Sequence, residues 1–447
     1  MNAFWAASLA ETVATSRTVG KRTAVLDPAN WLSRYREGVP TSSNQGTTEV
    51  PFQRWFRFKE AFSPKFVIDT LASLDGPVEH CLDPFGGSGT TALTCRMLGL
   101  SSTSIEVNPF LADLIEAKIE PVSSSAFLGD YEDLLRTLEV REEDTVLGPG
   151  MPATFAPPGV NGRHVFSTEV FGTVRAIVRE IPRMAPAHGR LLKVLLGSTL
   201  VSNSNVVVNG KGRRYRRNWQ ERERTAAQLI QALDAAVDTA IEDISLFSSP
   251  KCGEQKVLRG DCRTMLRKVK TADLAIFSPP YPNSFDYTDV YNLELWMLDY
   301  LSSGEDNRTL RQNTLRSHVQ VKWAASSSVP HSAILSETLA RLEEARADLW
   351  NVNIPGMIGQ YFADLAAIFS ELRRILPVGG KAVVAIGNSQ YAGIIVDVAG
   401  ILEQCVNELG FSLVEQGVMR SMRNSSQHGG GMHLAEHCLV FERREKE

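Results

Sequence analysis

The sequence predicts an open α/β fold: a mostly parallel sheet, interrupted by a large and mainly helical insertion. Three observations carry this reading. Cys81-Leu82 leads through Asp83-Pro84-Phe85-Gly86-Gly87-Ser88-Gly89-Thr90-Thr91 into the stretch 92–99, which reads as strand, glycine turn and helix. Leu274-Ala275-Ile276-Phe277 has the length and apolarity of a buried parallel strand, and Pro279-Pro280 behind it can neither donate to a ladder nor continue a helix. A short strand pattern, Thr103-Ser104-Ile105-Glu106-Val107, is separated from the next one, Lys256-Val257-Leu258-Arg259-Gly260-Asp261, by far more chain than one crossover helix needs.

Taken in order, residues 1–50 are polar and rich in Ser and Thr, an N-terminal arm or lead-in with one short helix around Trp31-Leu32-Ser33-Arg34-Tyr35. Residues 51–110 form the first part of the core. The insertion, 111–255, opens with a helix-compatible stretch at 111–118, passes a Gly/Pro-rich linker at 148–162 and ends in a long helical pattern from 219 to 244. Residues 256–447 complete the core. Ala435-Glu436-His437-Cys438-Leu439-Val440-Phe441 reads as a last strand, so His433 and His437 are not taken as a metal pair, and no metal is expected.

With 447 residues, 43% of them apolar, the chain can bury a large core. No apolar run reaches membrane-spanning length, and Met1-Asn2-Ala3-Phe4-Trp5 does not open a secretion signal. Six cysteines without paired spacing fit a reducing compartment, so the cytoplasm is the expected location. The net charge of −4 leaves no uniformly basic surface, and any nucleic-acid contact must come from a local basic stripe.

Ser278-Pro279-Pro280-Tyr281 ends its strand at the carboxyl edge of the sheet, where open α/β folds bind ligands. It offers a hydroxyl, a main-chain carbonyl and an aromatic face, which suit a flat base with an exocyclic amine; the plain alternative is a Pro-rich turn. In the Asp83 turn, three glycines let the backbone approach a ligand, and the helix amino terminus behind them favours an anionic group. No Lys follows Gly89, which excludes a P-loop. A dinucleotide site stays open, because Glu106 stands near the offset of a ribose-binding acid, although the glycine pattern departs from G-x-G-x-x-G.

Together the Asp83 turn, Glu106 with Asn108-Pro109, Gly260-Asp261-Cys262 and the Ser278 tetrapeptide resemble the amino-type DNA methyltransferases, which use S-adenosylmethionine to methylate cytosine N4 or adenine N6. Phe58-Lys59-Glu60-Ala61-Phe62-Ser63-Pro64-Lys65-Phe66-Val67 is similar to the family segment that closes over the cofactor, and 374–384 is similar to the helix, turn and fifth strand of class I methyltransferases. The resemblance covers 51–110 and 256–447 and implies a Rossmann-like class I fold. It places Phe62, Ser63, Asp83, Phe85, Gly87, Ser88, Gly89 and Thr90 around the cofactor, with Glu106 on the ribose hydroxyls and Asp261 on the adenine amine. Gly260-Asp261 is equally a common turn. Ser at 278 favours cytosine N4. The implied partners are DNA and, where the enzyme guards a restriction site, an endonuclease.

The exocyclic amine of cytosine or adenine is a poor nucleophile, because its lone pair is delocalised. Ser278 Oγ and the Pro279 carbonyl are placed to hold its hydrogens, with Pro280 shaping the turn and Tyr281 stacking on an extruded base. Adenine-N6 methylation, an RNA base methyltransferase, a non-catalytic cofactor-binding module and a nicotinamide oxidoreductase are the competing readings. Inside the insertion, Lys211, Arg213, Arg214, Arg216 and Arg217 surround Tyr215 and precede Trp219, a pattern fit for phosphates and stacking or else a solvated charge run at a helix start. A second basic stretch, 307–322, holds Arg308, Arg311, Arg316, His318 and Lys322.

Overall fold

The structure is a computed structural model that describes residues 28–209, 212–247, 253–321, 329–422 and 434–445. Its centre is a seven-stranded sheet. In chain order the strands are β1 (His80–Asp83), β2 (Ser101–Glu106), β5 (Gln255–Arg259), β6 (Leu274–Phe277), β7 (Lys381–Gly387), β10 (Phe411–Met422) and β11 (Leu434–Arg443). Two small hairpins lie outside it, β3 (Val206–Asn209) with β4 (Gly212–Tyr215) and β8 (Ser389–Tyr391) with β9 (Ile394–Val396). The spatial order is β10-β11-β7-β6-β1-β2-β5, parallel throughout except that β11 runs against both its neighbours. This is the mostly parallel, Rossmann-like sheet expected of a class I methyltransferase. The chain order reverses between β1 and β6, which are direct neighbours. Both sequence motifs leave the sheet at that crevice, where an open α/β sheet binds its ligand.

Local sequence accounts for the strands. The four residues of β6 are all buried, as an apolar run between helices requires, and Ser278-Pro279 ends the ladder. After β2, the Asn108 side chain accepts the Phe110 amide at 3.0 Å with Pro109 in the first helical turn, which starts helix Pro109–Ile119. That helix packs on β2 and β5 and also on helix Pro186–Leu200, so it joins the sheet to the insertion.

The insertion is helical, as its pattern predicts, with helices Ser124–Thr137, Thr168–Glu180, Pro186–Leu200 and Ala226–Leu246. Its apolar faces form one cluster with Trp31, Val50, Phe52 and Trp55 from the amino-terminal segment and with Leu293 to Leu298 behind the tetrapeptide. The amino-terminal segment is therefore bound into the protein. Asp243, wholly buried, accepts from the Phe52 amide at 2.8 Å, the Trp55 indole at 2.9 Å and the Arg54 guanidinium, which fixes that segment on helix Ala226–Leu246. No helix among the described residues is long and apolar enough to cross a membrane.

Candidate functional site

A cavity of about 350 Å³ opens at the carboxyl ends of β1, β2 and β6. Asp83, Phe85, Gly87, Ser88, Thr90, Glu106 and Phe62 line it together with Ser278, Pro279, Pro280 and Tyr281. Segments 58–62 and 313–318 close two further walls, and Arg420, Met422 and Glu436 of the far strands complete it.

One half of the cavity is built on the glycine turn. Gly87 has φ +52°, and a Cβ on Gly86 would lie 2.7 Å from Ile115 Cδ1, so the turn sits directly on helix Pro109–Ile119. Asp83 accepts from the Phe85 amide at 2.9 Å and the Thr91 hydroxyl at 2.7 Å, and Glu106 accepts from the Gly87 amide at 2.7 Å and the Asn108 amide at 2.8 Å. Burial pushes the Asp83 carboxyl up to about 6 and Glu106 up to about 7, with these hydrogen bonds opposing it. From below, the wholly buried Lys118 ammonium donates to the Ser88 carbonyl at 2.7 Å and to Gln53 Oε1 at 3.1 Å; desolvation brings it down to about 7. Acceptor-only acids, exposed turn backbone and the apolar Phe62 and Phe85 suit a cofactor carrying hydroxyls, an anionic end and a flat ring.

The other half holds the tetrapeptide. The Tyr281 phenol donates to Glu436 at 2.5 Å, and burial together with that carboxylate raises it well above the usual tyrosine range. Opposite, Tyr291 donates to Glu60 at 2.7 Å while its ring stacks on Phe58, with centroids 5.3 Å apart and planes 11° off parallel. Burial raises the Glu60 carboxyl, with the Tyr291 hydrogen bond opposing it. His318 is buried in the wall, and desolvation lowers its imidazole below the ordinary histidine value.

Three expected cofactor residues are not among those lining the cavity. Ser63 is fully buried behind Phe62, where the Tyr35 hydroxyl meets its Oγ at 3.3 Å. Gly89 caps helix Thr90–Leu98 with φ +78°, turned from the cavity and packed close to Ile115. Asp261 caps the helix after β5 by accepting the Arg263 amide at 2.9 Å, and both its oxygens also take the Arg263 guanidinium, at 2.7 to 3.0 Å. Gly260 and Cys262 on either side of it do face the cavity. The turn reading of Gly260-Asp261 describes this carboxylate.

The basic cluster lies on the β3–β4 hairpin, and the helical pattern from 219 breaks into a short turn, Trp219–Glu221, before helix Ala226–Leu246. Lys211 lies outside the described residues. Arg213, Arg214 and Arg217 are exposed. Arg216 is a correction: its Nε and Nη2 donate to the Ser204 and Val201 carbonyls at 3.0 and 2.9 Å, closing the end of helix Pro186–Leu200. Trp219 is buried against Tyr215 and His164 and offers no stacking face. The hairpin adjoins the cavity, since β4 packs on residues Tyr287–Val290 and Arg213 feels the charges of Asp289 and Glu294.

Part of the second basic stretch, 313–318, walls the cavity, and two of its arginines are committed to acids. Arg316 is buried on Asp364, with Nε to Oδ2 at 3.0 Å, and Arg311 is paired with Asp286 at 3.0 Å and with Asp289. Lys322 lies outside the described residues, as does His433, while His437 stands on β11. Among the described residues no three metal-ligating side chains cluster. Sequence reasoning missed Lys118, Glu60, Arg420 and Glu436. The only local signal was a charge inside a mostly apolar helix, at 118.

Fold and cavity together have the architecture expected of a class I methyltransferase. Known proteins narrow this. The chain is 26% identical over 433 residues to the type II methyltransferase M.AvaI of Nostoc sp. and of Anabaena variabilis, covering 88% of this chain and 85% of the relative. It is 25% identical over 432 residues to the type II methyltransferase M.BsoBI of Geobacillus stearothermophilus, covering 87% and 84%. No family profile matches the chain. Among solved structures, the rRNA methyltransferase aviRa from Streptomyces viridochromogenes aligns over 86% of this chain and 85% of its own at 11% identity and a TM-score of 0.28. The similarity to type II methyltransferases over most of the chain supports the amino-type DNA methyltransferase resemblance that the motifs carry.

Proposed function

We propose that this protein transfers a methyl group from S-adenosylmethionine to the N4 amine of cytosine at a specific sequence in DNA. The observation that carries this reading is the meeting of two acceptor sets in one cavity. Asp83 and Glu106 arrive from β1 and β2, and Ser278 with the Pro279 carbonyl arrives from the adjacent β6. The cofactor's sulfonium supplies an electrophilic methyl group.

This chain's part is binding and orientation. Glu106 would take the ribose hydroxyls on its remaining lone pairs, the Gly86–Ser88 backbone with Asp83 would hold the methionine end, and Phe62 and Phe85 would flank the rings. Ser278 Oγ and the Pro279 carbonyl would accept the amine hydrogens as the nitrogen pyramidalises, and Tyr281 would stack on the extruded base. Carbon-5 chemistry, which needs a thiolate nucleophile, has weak support, because burial raises the Cys262 thiol, which lines this cavity, well above the ordinary range. Arg213 and Arg214 on the adjoining hairpin and Arg217 just after it, together with Lys211, would hold phosphates. A restriction endonuclease acting on the same sequence is the partner this reading implies.

Mass spectrometry of digested DNA from cells expressing the protein tests the proposal. N4-methylcytosine is expected. N6-methyladenine as the sole product would overturn the choice of base, and unmodified DNA would overturn the activity.

A further inference from the structure

Arg420, Glu436 and Gly387 stand side by side on three neighbouring strands: Arg420 pairs with Glu436 across β10–β11, and Glu436 with Gly387 across β11–β7. Gly387 and Glu436 meet Tyr281 directly, and Arg420 reaches it through Glu436. The ring lies on Gly387, where a Cβ would come within 2.8 and 2.9 Å of two ring carbons, and the phenol ends on Glu436 Oε1 at 2.5 Å. Arg420 holds that carboxylate from the other side, with Nε to Oε2 at 2.6 Å and Nη2 to Oε1 at 3.2 Å.

Glu436 is 1% exposed on β11, followed two residues on by the buried Cys438 and Leu439. Burying a carboxylate there is costly, and a hydrophobic side chain of similar volume would serve the sheet at least as well. What the carboxylate adds is a fixed acceptor for one phenol. Tyr281 follows two prolines in a loop, and a loop side chain that must be ordered on binding gives up rotamer freedom at that moment. Contact with Gly387 at the ring and Glu436 at the hydroxyl removes that freedom beforehand.

We propose that Glu436, itself held by Arg420, is a positioning residue that sets the Tyr281 ring for the target base, so that the far edge of the sheet completes the base pocket. This rests on the proposed base methylation. Glu436 acts through the phenol and not on the cofactor.

A double-mutant cycle on the full chain tests it, using Glu436→Gln and Tyr281→Phe singly and together, with radiolabelled methyl incorporation into unmethylated genomic DNA and S-adenosylhomocysteine affinity by calorimetry. Glu436→Gln should lower kcat at least ~5-fold in the wild-type background and less than ~2-fold beside Tyr281→Phe, with cofactor affinity within ~2-fold of wild type throughout. Equal losses in both backgrounds, or a parallel loss of cofactor affinity, would overturn the proposal. A second readout is independent of activity. In the free protein labelled with ¹³C-tyrosine, the Tyr281 Cζ resonance, assigned by its absence from Tyr281→Phe, should shift in Glu436→Gln, and an unmoved resonance would overturn the proposal. If wild type methylates no DNA while the resonance still shifts, the proposed function has failed and the Glu436–Tyr281 coupling has not.

Discussion

The Glu106 carboxylate closes on the Gly87 amide at 2.7 Å, so the acid that ends β2 also fixes the turn that ends β1. Two neighbouring strands thus share one hydrogen bond at the floor of the cavity. The bond occupies only part of the carboxylate's capacity and leaves lone pairs for ligand hydroxyls.

Affinity for the cofactor should depend on the charge of this group. Burial raises free Glu106 to about 7, above its ordinary 4.5, so its contribution to folded stability is full below 4.5 and is lost as pH rises through 7. Accepting two hydroxyls requires the ionised form. S-adenosylhomocysteine binding should therefore tighten roughly tenfold between pH 6 and pH 8, with proton release visible as a buffer-dependent binding enthalpy. Glu106→Gln should bind more weakly at every pH and lose that slope. A Glu106→Gln variant with the wild-type slope would assign the titration elsewhere.

Ser278→Ala removes one of the two proposed acceptors of the amine and leaves the cofactor half of the cavity intact. Turnover should fall by roughly 10²-fold, the usual scale for a hydrogen-bond partner that acts in the transition state. S-adenosylhomocysteine affinity measured alongside should stay within a factor of about two. Full turnover would show that the Pro279 carbonyl suffices.

At Gly387, a methyl group has nowhere to go. An added Cβ would sit 2.5 Å from Met422 Cε as well as against the Tyr281 ring, and while the methionine end can swing aside, the ring is held at its hydroxyl. Gly387→Ala should cost about 1–3 kcal/mol in chemical denaturation and lower turnover at least ~10-fold, without weakening cofactor binding. An unchanged kcat would show that the ring need not lie where it does.

The strands and the two motifs were legible because their signals are local. Leu274–Phe277 is bounded by its own prolines, and Asp83 and Ser278 meet because each ends its strand at the same sheet edge. Glu436 was not legible as part of the site. Its place depends on β11 running antiparallel beside β7 in one register, set by contacts more than 40 residues away in sequence. The partners of Asp261 and Arg216 were not legible for a related reason. A charge in a sequence carries no record of what will neutralise or bond it, and here Arg263 and the carbonyls ending a helix did so. The anchoring of the amino-terminal segment likewise depends on Asp243, nearly 200 residues downstream of Phe52.

The hairpin arginines can be separated by what each one holds. Arg214 and Arg217 are exposed, so Arg214→Gln with Arg217→Gln should leave thermal stability within about 0.5 kcal/mol of wild type, as surface changes usually do. Their effect should appear in DNA binding. Each lost phosphate contact removes roughly 0.9 from the slope of log affinity against log salt, so the double variant should bind duplex DNA more weakly with a slope shallower by up to ~1.8. Arg216→Ala should behave in the opposite way. It removes the guanidinium donor from the Ser204 carbonyl and one donor from the Val201 carbonyl, which keeps the Ser204 hydroxyl; this costs about 1–3 kcal/mol and should lower the melting temperature, while the salt slope measured on the folded protein stays as in wild type. An unaltered slope in the double variant would make these two side chains a solvated charge pair, and a flattened slope in Arg216→Ala would mean that its guanidinium leaves the helix end when DNA arrives.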